Sequence, residues 1–202
     1  MINLVETIYL NKADMRRAKQ FTEARVNDNV ELYQKRGGFK EIDILAGSYA
    51  EIAVYKMLKD KGFPVNKPDF SIHEARKKSF DPDLYDGVHH FHVKGQTLES
   101  KRMYGASWIM QRTDPIINNP KQLHYMVPCT VDTDTGRVEI YGVMSISSLV
   151  KNGCIGECKN SWFQKTKIAI YLDHIEGILS EYARWGFIRI GLRRLKEYGH
   201  GR

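Results

Sequence analysis

The sequence has 202 residues and a formal net charge of +7, with 31 Lys and Arg against 24 Asp and Glu. This length suits a single domain over residues 1–202, and a hydrophobic content of 42% argues against an intrinsically disordered chain. No apolar run is long enough to span a bilayer, and the first residues lack the pattern of a secretory signal. We therefore expect a cytoplasmic globular protein that has no membrane partner.

The basic balance indicates an anionic partner such as nucleic acid, although a basic protein without such a partner has the same composition. The three cysteines, Cys129, Cys154 and Cys158, are few and odd in number, which favours free thiols in a reducing compartment. Cys154 and Cys158 have no second cysteine pair to join them, so the sequence favours two thiols over a structural zinc site.

The N-terminal residues 1–11 predict a short strand or an arm, and residues 12–36 predict a helix that ends at Gly37-Gly38. One side of this helix is basic. For this helix alone, an ordinary solvated surface is the favoured interpretation, and contact with phosphates is the minor alternative.

Residues 41–61 predict a second helix with an apolar stripe, and Glu51 lies at the border of that stripe. A charged residue bordering a buried face needs a partner, which is commonly a structural ion pair. Gly47 is expected to allow another backbone or a substrate to approach closely.

The next segment, residues 63–72, contains two prolines and is expected to be extended. A basic loop follows at residues 73–79, and it either is solvated or grips phosphates.

Residues 81–96 predict a tight hairpin, because Asp86-Gly87 is a strong turn dipeptide. After the turn, His92 and Lys94 are two residues apart and therefore project from the same face of a strand. The turn returns the chain past Asp83, so an acid, an imidazole and an amine can converge there. Such a group suits metal-assisted hydrolysis.

Beyond the hairpin, alternating and apolar segments predict further elements in sequence order. They are strands at residues 107–111, 123–131 and 137–143, and helices at residues 145–150 and 168–185. The final residues 187–202 are basic and alternate with apolar positions.

The stretch around the hairpin resembles the core of the PD-(D/E)xK nuclease superfamily, which includes restriction enzymes, Holliday-junction resolvases and phage nucleases. Pro82-Asp83 matches the first half of its motif, and His92-Val93-Lys94 matches the second, with His92 where the family has an acid. Glu51 matches the glutamate that the family places on an earlier helix. The resemblance covers roughly residues 40–150.

This resemblance implies an α/β fold with a restriction-endonuclease-like core, in which a central mixed β-sheet is flanked by helices. Helical additions are expected at both termini, the C-terminal one basic and covering about residues 165–202. The implied activity is that of a Mg²⁺-dependent DNA endonuclease, with Mn²⁺ as an alternative ion. Duplex or branched DNA is the expected partner, and a homodimer is open because many relatives dimerise.

Carried over residue by residue, the resemblance makes Glu51, Asp83 and His92 metal ligands. Lys94 would orient the attacking water or stabilise the charge on the phosphoryl group. Gln96 lies on the same strand face as Lys94 and would touch substrate or hold the lysine. The residues expected to contact nucleic acid are Arg76, Lys77, Lys78, Lys101, Arg102, Gln111, Arg193 and Arg194.

The sequence leaves four alternatives open, and the first three concern the histidines. A neutral imidazole suits manganese, iron or zinc better than magnesium, so the metal preference can shift, with Asp81 or Asp86 supplying the missing charge. His90 and His92 share a face and could chelate a transition metal. The chain could also be a DNA-binding protein that has kept the nuclease fold with weakened or lost activity, and a nuclease acting on RNA is open too.

Overall fold

The computed structural model describes residues 5–28, 41–71 and 81–175. The basic loop with Arg76, Lys77 and Lys78 lies outside these residues, as do the predicted end of the first helix and the basic tail with Arg193 and Arg194. In the described part, no helix combines the length and the apolar character needed to cross a membrane.

The strands are β1 (Glu6–Tyr9), β2 (Leu84–Tyr85), β3 (His90–Thr97), β4 (Ser107–Gln111), β5 (His124–Asp132), β6 (Arg137–Ile140), β7 (Met144–Ser145), β8 (Ile155–Glu157) and β9 (Lys167–Tyr171). The helices are α1 (Lys12–Asp28), α2 (Glu41–Asp60), α3 (Leu98–Tyr104), α4 (Pro115–Asn118), α5 (Ile146–Lys151) and α6 (Ser161–Gln164).

A six-stranded mixed sheet forms the centre, in the order β1-β6-β5-β3-β2, with β7 also paired to β5. Strands β3 and β5 are parallel, whereas β2 pairs with β3, and β1 with β6, in antiparallel fashion. The expected α/β class with a mixed sheet and flanking helices is confirmed.

Helix α2 packs directly on β3, and one glycine makes this contact possible. A Cβ at Gly95 would lie 2.7 Å from the Ala46 carbonyl oxygen and 3.2 Å from the Ala50 Cβ. Only a residue without a side chain fits there. At Gly47, apart from its chain neighbours and its own helix backbone, no described atom comes within 4 Å of a built Cβ, so no other described backbone approaches it closely. The approach of a substrate to Gly47 stays a prediction.

A second sheet of three strands, in the order β4-β9-β8, contradicts the first four residues, 168–171, of the helix predicted at residues 168–185. Residues 172–175 are helical as predicted, and residues 176–185 lie outside the described residues. Residues Lys167–Tyr171 form β9, and its last four residues are all buried. A short apolar run that is buried on both faces has no period that separates strand from helix. The β-branched Ile168 and Ile170 fit a strand better than a helix. Both residues pair with β4 on one side and with β8 on the other.

Helix α3 was not predicted from the sequence. The Thr97 side chain accepts a hydrogen bond from the Ser100 backbone N–H and so caps the first turn. This helix connects the end of β3 to β4.

Candidate active site

The predicted hairpin forms as expected, with Leu84 opposite Phe91 and Tyr85 opposite His90. Gly87 has a φ of 97°, a value that favours glycine. The Asp86 Oδ1 atom accepts hydrogen bonds from the backbone N–H groups of Val88 at 3.0 Å and His89 at 2.7 Å, which closes the turn. Asp86 thus has a structural role in the turn.

Asp83 is fixed at the start of this hairpin. Its Oδ2 atom accepts a hydrogen bond of 2.7 Å from the Val93 backbone N–H, so the carboxylate is held beside β3, one residue before Lys94. Burial raises the pKa of Asp83, and the nearby Lys94 charge and the Val93 hydrogen bond offset part of that rise.

Glu51 approaches from α2, next to the Ala50 side chain that packs on Gly95. Burial, and next the negative charge of Asp83, raise the pKa of Glu51 to about 8, while Arg25 and Lys94 act in the opposite direction. Glu51 and Asp83 are therefore close enough to repel each other, and both interact with Lys94. Glu51 comes close to Asp83 and Lys94, which are distant in sequence, because α2 packs tightly on β3.

Within the described residues, the Lys94 ammonium makes no hydrogen bond and no direct ion pair with either carboxylate. The three groups interact through space, as members of one charged cluster. Such a cluster costs free energy, because each carboxylate is partly buried beside a like charge.

Arg25 on α1 belongs to the same cluster and was not predicted. Its guanidinium lies 5.7 Å from the centre of the Phe21 ring, which in turn stacks on Phe70 at 4.8 Å. Arg25 lowers the pKa of both Glu51 and Asp83. No local motif connects Arg25 to these acids, because the contact depends on how α1 packs on α2.

The structure places His92 against His124. Its Nε2 atom lies 3.0 Å from the Nδ1 atom of His124 on the neighbouring strand β5. Burial, with Lys94, His124 and His90, lowers the pKa of His92 to about 3, so the ring is neutral at pH 7. Among the described residues, the hydrogen bond and a ring contact of His92 are with His124, and its role as a metal ligand stays a prediction.

The neighbouring histidines are engaged in other contacts. His90 stacks on His124, with ring centres 4.4 Å apart, and the His89 Nδ1 atom lies 2.9 Å from Asp86 Oδ2. In residues 5–28, 41–71 and 81–175, no three or more His, Cys, Asp or Glu side chains are grouped so that they could hold a metal ion. Chelation of a transition metal by His90 and His92 alone stays a prediction.

Gln96 has its hydrogen bonds already made. Its Nε2 atom donates to the Gly105 carbonyl at 3.0 Å and to Ser107 Oγ at 3.2 Å, and its Oε1 atom accepts from the Ser107 N–H at 3.0 Å. The side chain bridges β3 to the start of β4. Gln96 therefore stabilises the connection between β3 and β4 and, in the described residues, does not hydrogen-bond to Lys94.

The predicted nucleic-acid contacts on the described residues lie in different settings. Lys101 donates to Glu139 Oε2 at 2.9 Å and to the Tyr141 hydroxyl at 2.7 Å, so its ammonium is committed to the fold. Arg102 is exposed near the end of α3, and Gln111 is partly buried at the end of β4. Asp81 is exposed just ahead of the hairpin.

Two nearby carboxylates, both with raised pKa values, are a donor set for a hard cation. Magnesium prefers oxygen ligands, keeps several of its waters and needs only one or two carboxylates. Glu51 and Asp83 therefore fit Mg²⁺ or Mn²⁺, and His92 is not needed to hold either ion. A bound cation would also remove the repulsion between the two acids.

No family model matches this sequence, and neither a curated protein nor a solved structure is significantly similar to it. The function of the charged cluster therefore has to be inferred from its own chemistry.

Proposed function

We propose that the protein is a metal-dependent endonuclease that hydrolyses phosphodiester bonds in DNA, built on a restriction-endonuclease-like core. The observation that carries this proposal is the electrostatic cluster of Glu51, Asp83 and Lys94, which come from a helix and both sides of a hairpin. These are the residues of the PD-(D/E)xK pattern that the sequence retains. The parallel pairing of β3 with β5 and the packing of α2 on β3 support the assignment of the core.

Each residue of the cluster has a distinct role in this proposal. Glu51 and Asp83 hold the divalent cation, and the Val93 N–H keeps the Asp83 carboxylate oriented. The cation, when bound, supplies a nucleophilic water at neutral pH and neutralises charge on the phosphoryl oxygens. Lys94 stabilises the additional negative charge that develops on the phosphoryl group.

The test is cleavage of supercoiled plasmid with and without Mg²⁺ or Mn²⁺. We expect metal-dependent nicking that is lost in Asp83→Asn, while Asp134→Asn, at an exposed turn between β5 and β6, cleaves normally. Cleavage that persists in Asp83→Asn or without metal would contradict the proposal. The DNA partner and the homodimer implied by the resemblance stay predictions, and a cleavage series on duplex and branched substrates tests the first.

A second candidate function is DNA binding without cleavage. It is favoured by His92, which packs on His124 and leaves the cluster with two carboxylates where the superfamily pattern has three acids. In that case a gel-shift assay shows DNA binding, the plasmid stays intact with every metal, and Asp83→Asn binds as well as the wild type.

A further inference from the structure

Four aromatic rings form a continuous stack beside the charged cluster. The Tyr85 ring stacks on His90 with centres 4.7 Å apart, and His90 stacks on His124 at 4.4 Å. The His92 ring stacks on His124 from the same strand as His90, at 5.3 Å. We call these four residues the aromatic stack.

The sheet register explains the stack. Tyr85 pairs with His90 across β2 and β3, and His90 pairs with His124 across β3 and β5. Side chains at paired positions stand on the same face of a sheet, and neighbouring strands lie about 4.8 Å apart. That spacing is close to the separation of rings in contact, so three adjacent strands place their rings face to face.

The inner members of the stack are held firmly. His92 Nε2 and His124 Nδ1 share a hydrogen bond of 3.0 Å, and burial lowers the pKa of both rings, so both are neutral at pH 7. The Tyr85 hydroxyl donates to the Gly87 carbonyl, which fixes the orientation of the outer ring. The stack is thus a preorganised flat surface rather than a set of mobile side chains.

The outer end of the stack is open to solvent. Tyr85 is 40% exposed, although one face of its ring covers His90. Two apolar side chains near it are also exposed, Val88 at 36% and Leu123 at 42%, and the Leu123 carbonyl accepts the His90 N–H. The exposed Lys121 acts on His124 and adds positive charge at the rim. An aromatic face with a cation beside it matches a nucleobase and its phosphate.

The position of Tyr85 connects this surface to the carboxylates. Asp83 is two residues earlier in the chain, immediately before β2, so the two Cα atoms are at most roughly 7 Å apart. A strand whose phosphate lay at Asp83 would carry its neighbouring base to Tyr85. Because a duplex keeps its base faces inside its own stack, only an unpaired base can offer a face to this ring.

We infer that Tyr85 stacks on an unpaired nucleobase next to the scissile phosphate, so that the substrate is a single strand or a locally unpaired segment of nucleic acid. This inference rests on the proposed function and names its substrate class. It narrows the expected duplex or branched DNA to substrates with an unpaired strand at the site.

Fluorescence anisotropy with a labelled oligothymidine, and with a duplex of the same length, tests the inference without divalent metal. We expect tighter binding of the single strand, and about tenfold weaker single-strand binding in Tyr85→Ala and in Tyr85→Leu, which keeps His90 covered but has no aromatic face. Tyr85→Phe keeps the ring and should stay within about twofold of the wild type. The same loss on an oligouridine also supports the inference, since it concerns the base and not the sugar.

The matched control is Tyr9→Ala. Tyr9 is 68% exposed on β1, at the opposite edge of the same sheet, so its loss should leave binding unchanged. Equal or tighter binding of the duplex, or wild-type binding of the single strand by Tyr85→Leu, would overturn the inference. Metal-dependent plasmid cleavage would still stand in that case. Conversely, Tyr85-dependent binding without any cleavage would overturn the nuclease and leave the stacking surface.

Discussion

Neighbouring side chains on one face of β3 differ in whether they have hydrogen-bond partners. His92 and Gln96 are buried, and each has hydrogen-bond partners within the fold. Lys94 lies between them on the same face, and among the described residues it has only the through-space attraction of Glu51 and Asp83. A strand of eight residues thus carries both structural polar groups and a charge with no direct partner.

The difference teaches how to separate the two kinds of residue. A buried polar group whose hydrogen bonds are complete stabilises the fold, and its removal leaves a partner unsatisfied. A charge held near other charges without direct contact contributes little to folding and is available for chemistry. Substitutions on this face should therefore change either stability or activity, and rarely both.

The largest effect is expected at Lys94. Lys94→Met should lower the cleavage rate by about 10²- to 10³-fold, as for loss of one charge-stabilising donor, with little change in the free energy of unfolding. Plasmid cleavage kinetics and urea unfolding measure the two quantities. Lys151→Met, at an exposed lysine at the end of α5, is the control and should change neither. A large loss of stability in Lys94→Met would show that Lys94 stabilises the fold, as His92 and Gln96 do.

His92 should behave in the opposite way. His92→Ala removes the partner of the His124 Nδ1 atom and should lower the free energy of unfolding by about 1–3 kcal/mol. The folded fraction should keep its metal affinity, because the His92 side chain hydrogen-bonds to His124 and, within the described residues, to neither Glu51 nor Asp83. Urea unfolding and calorimetric Mn²⁺ titration on the same sample test both statements. Weaker Mn²⁺ binding at unchanged stability would restore His92 as a metal ligand.

Metal binding should depend on pH through Glu51. Its pKa is about 8, so the metal must displace a proton below that pH, and affinity should rise about tenfold between about pH 7 and pH 9. Without metal, the contribution of Glu51 to the free energy of unfolding should fall as pH rises. A carboxyl whose folded pKa lies above its unfolded value loses stabilisation as pH rises from about 4.5 to 8. Calorimetric titration of Mn²⁺ into the wild type between about pH 7 and pH 9 measures the first effect, and an affinity that stays constant over this range would contradict it.

The smallest effect is expected at Arg25, and its size decides whether Arg25 belongs to the charged cluster. Arg25→Ala should raise the pKa of Glu51 further and reduce metal-dependent cleavage several-fold, whereas Arg25→Lys keeps the charge and most of the rate. Arg16→Ala, at an exposed arginine on the same helix, should have no effect. An upward shift of the pH–rate profile in Arg25→Ala distinguishes an electrostatic role from a structural one. An unshifted profile would remove Arg25 from the site.

The predictable parts of the fold were those specified by local sequence. Asp86-Gly87 predicted the hairpin turn, and the apolar stripe of residues 41–61 predicted the helix that carries Glu51. The residues that join in space were harder. Arg25 reaches the cluster only through the packing of α1, and His92 turns to His124 because β5 lies parallel to β3. Neither relation leaves a pattern along the chain.

The run that became β9 shows a second limit. Its four buried residues, 168–171, satisfy a helical stripe as well as a strand, and only pairing with β4 and β8 decides between them. The position of Gly95 likewise depends on a contact between elements distant in sequence. We expected a close approach at Gly47, whereas α2 crosses β3 most closely at Gly95.

The central claim is that Glu51 and Asp83 together hold one divalent cation. Electron paramagnetic resonance of Mn²⁺, titrated against wild type, Glu51→Gln and Asp83→Asn, measures it directly. The account predicts one bound ion per wild-type chain and loss of that ion in both variants. Wild-type binding that survives in either variant would show that the two carboxylates do not share an ion.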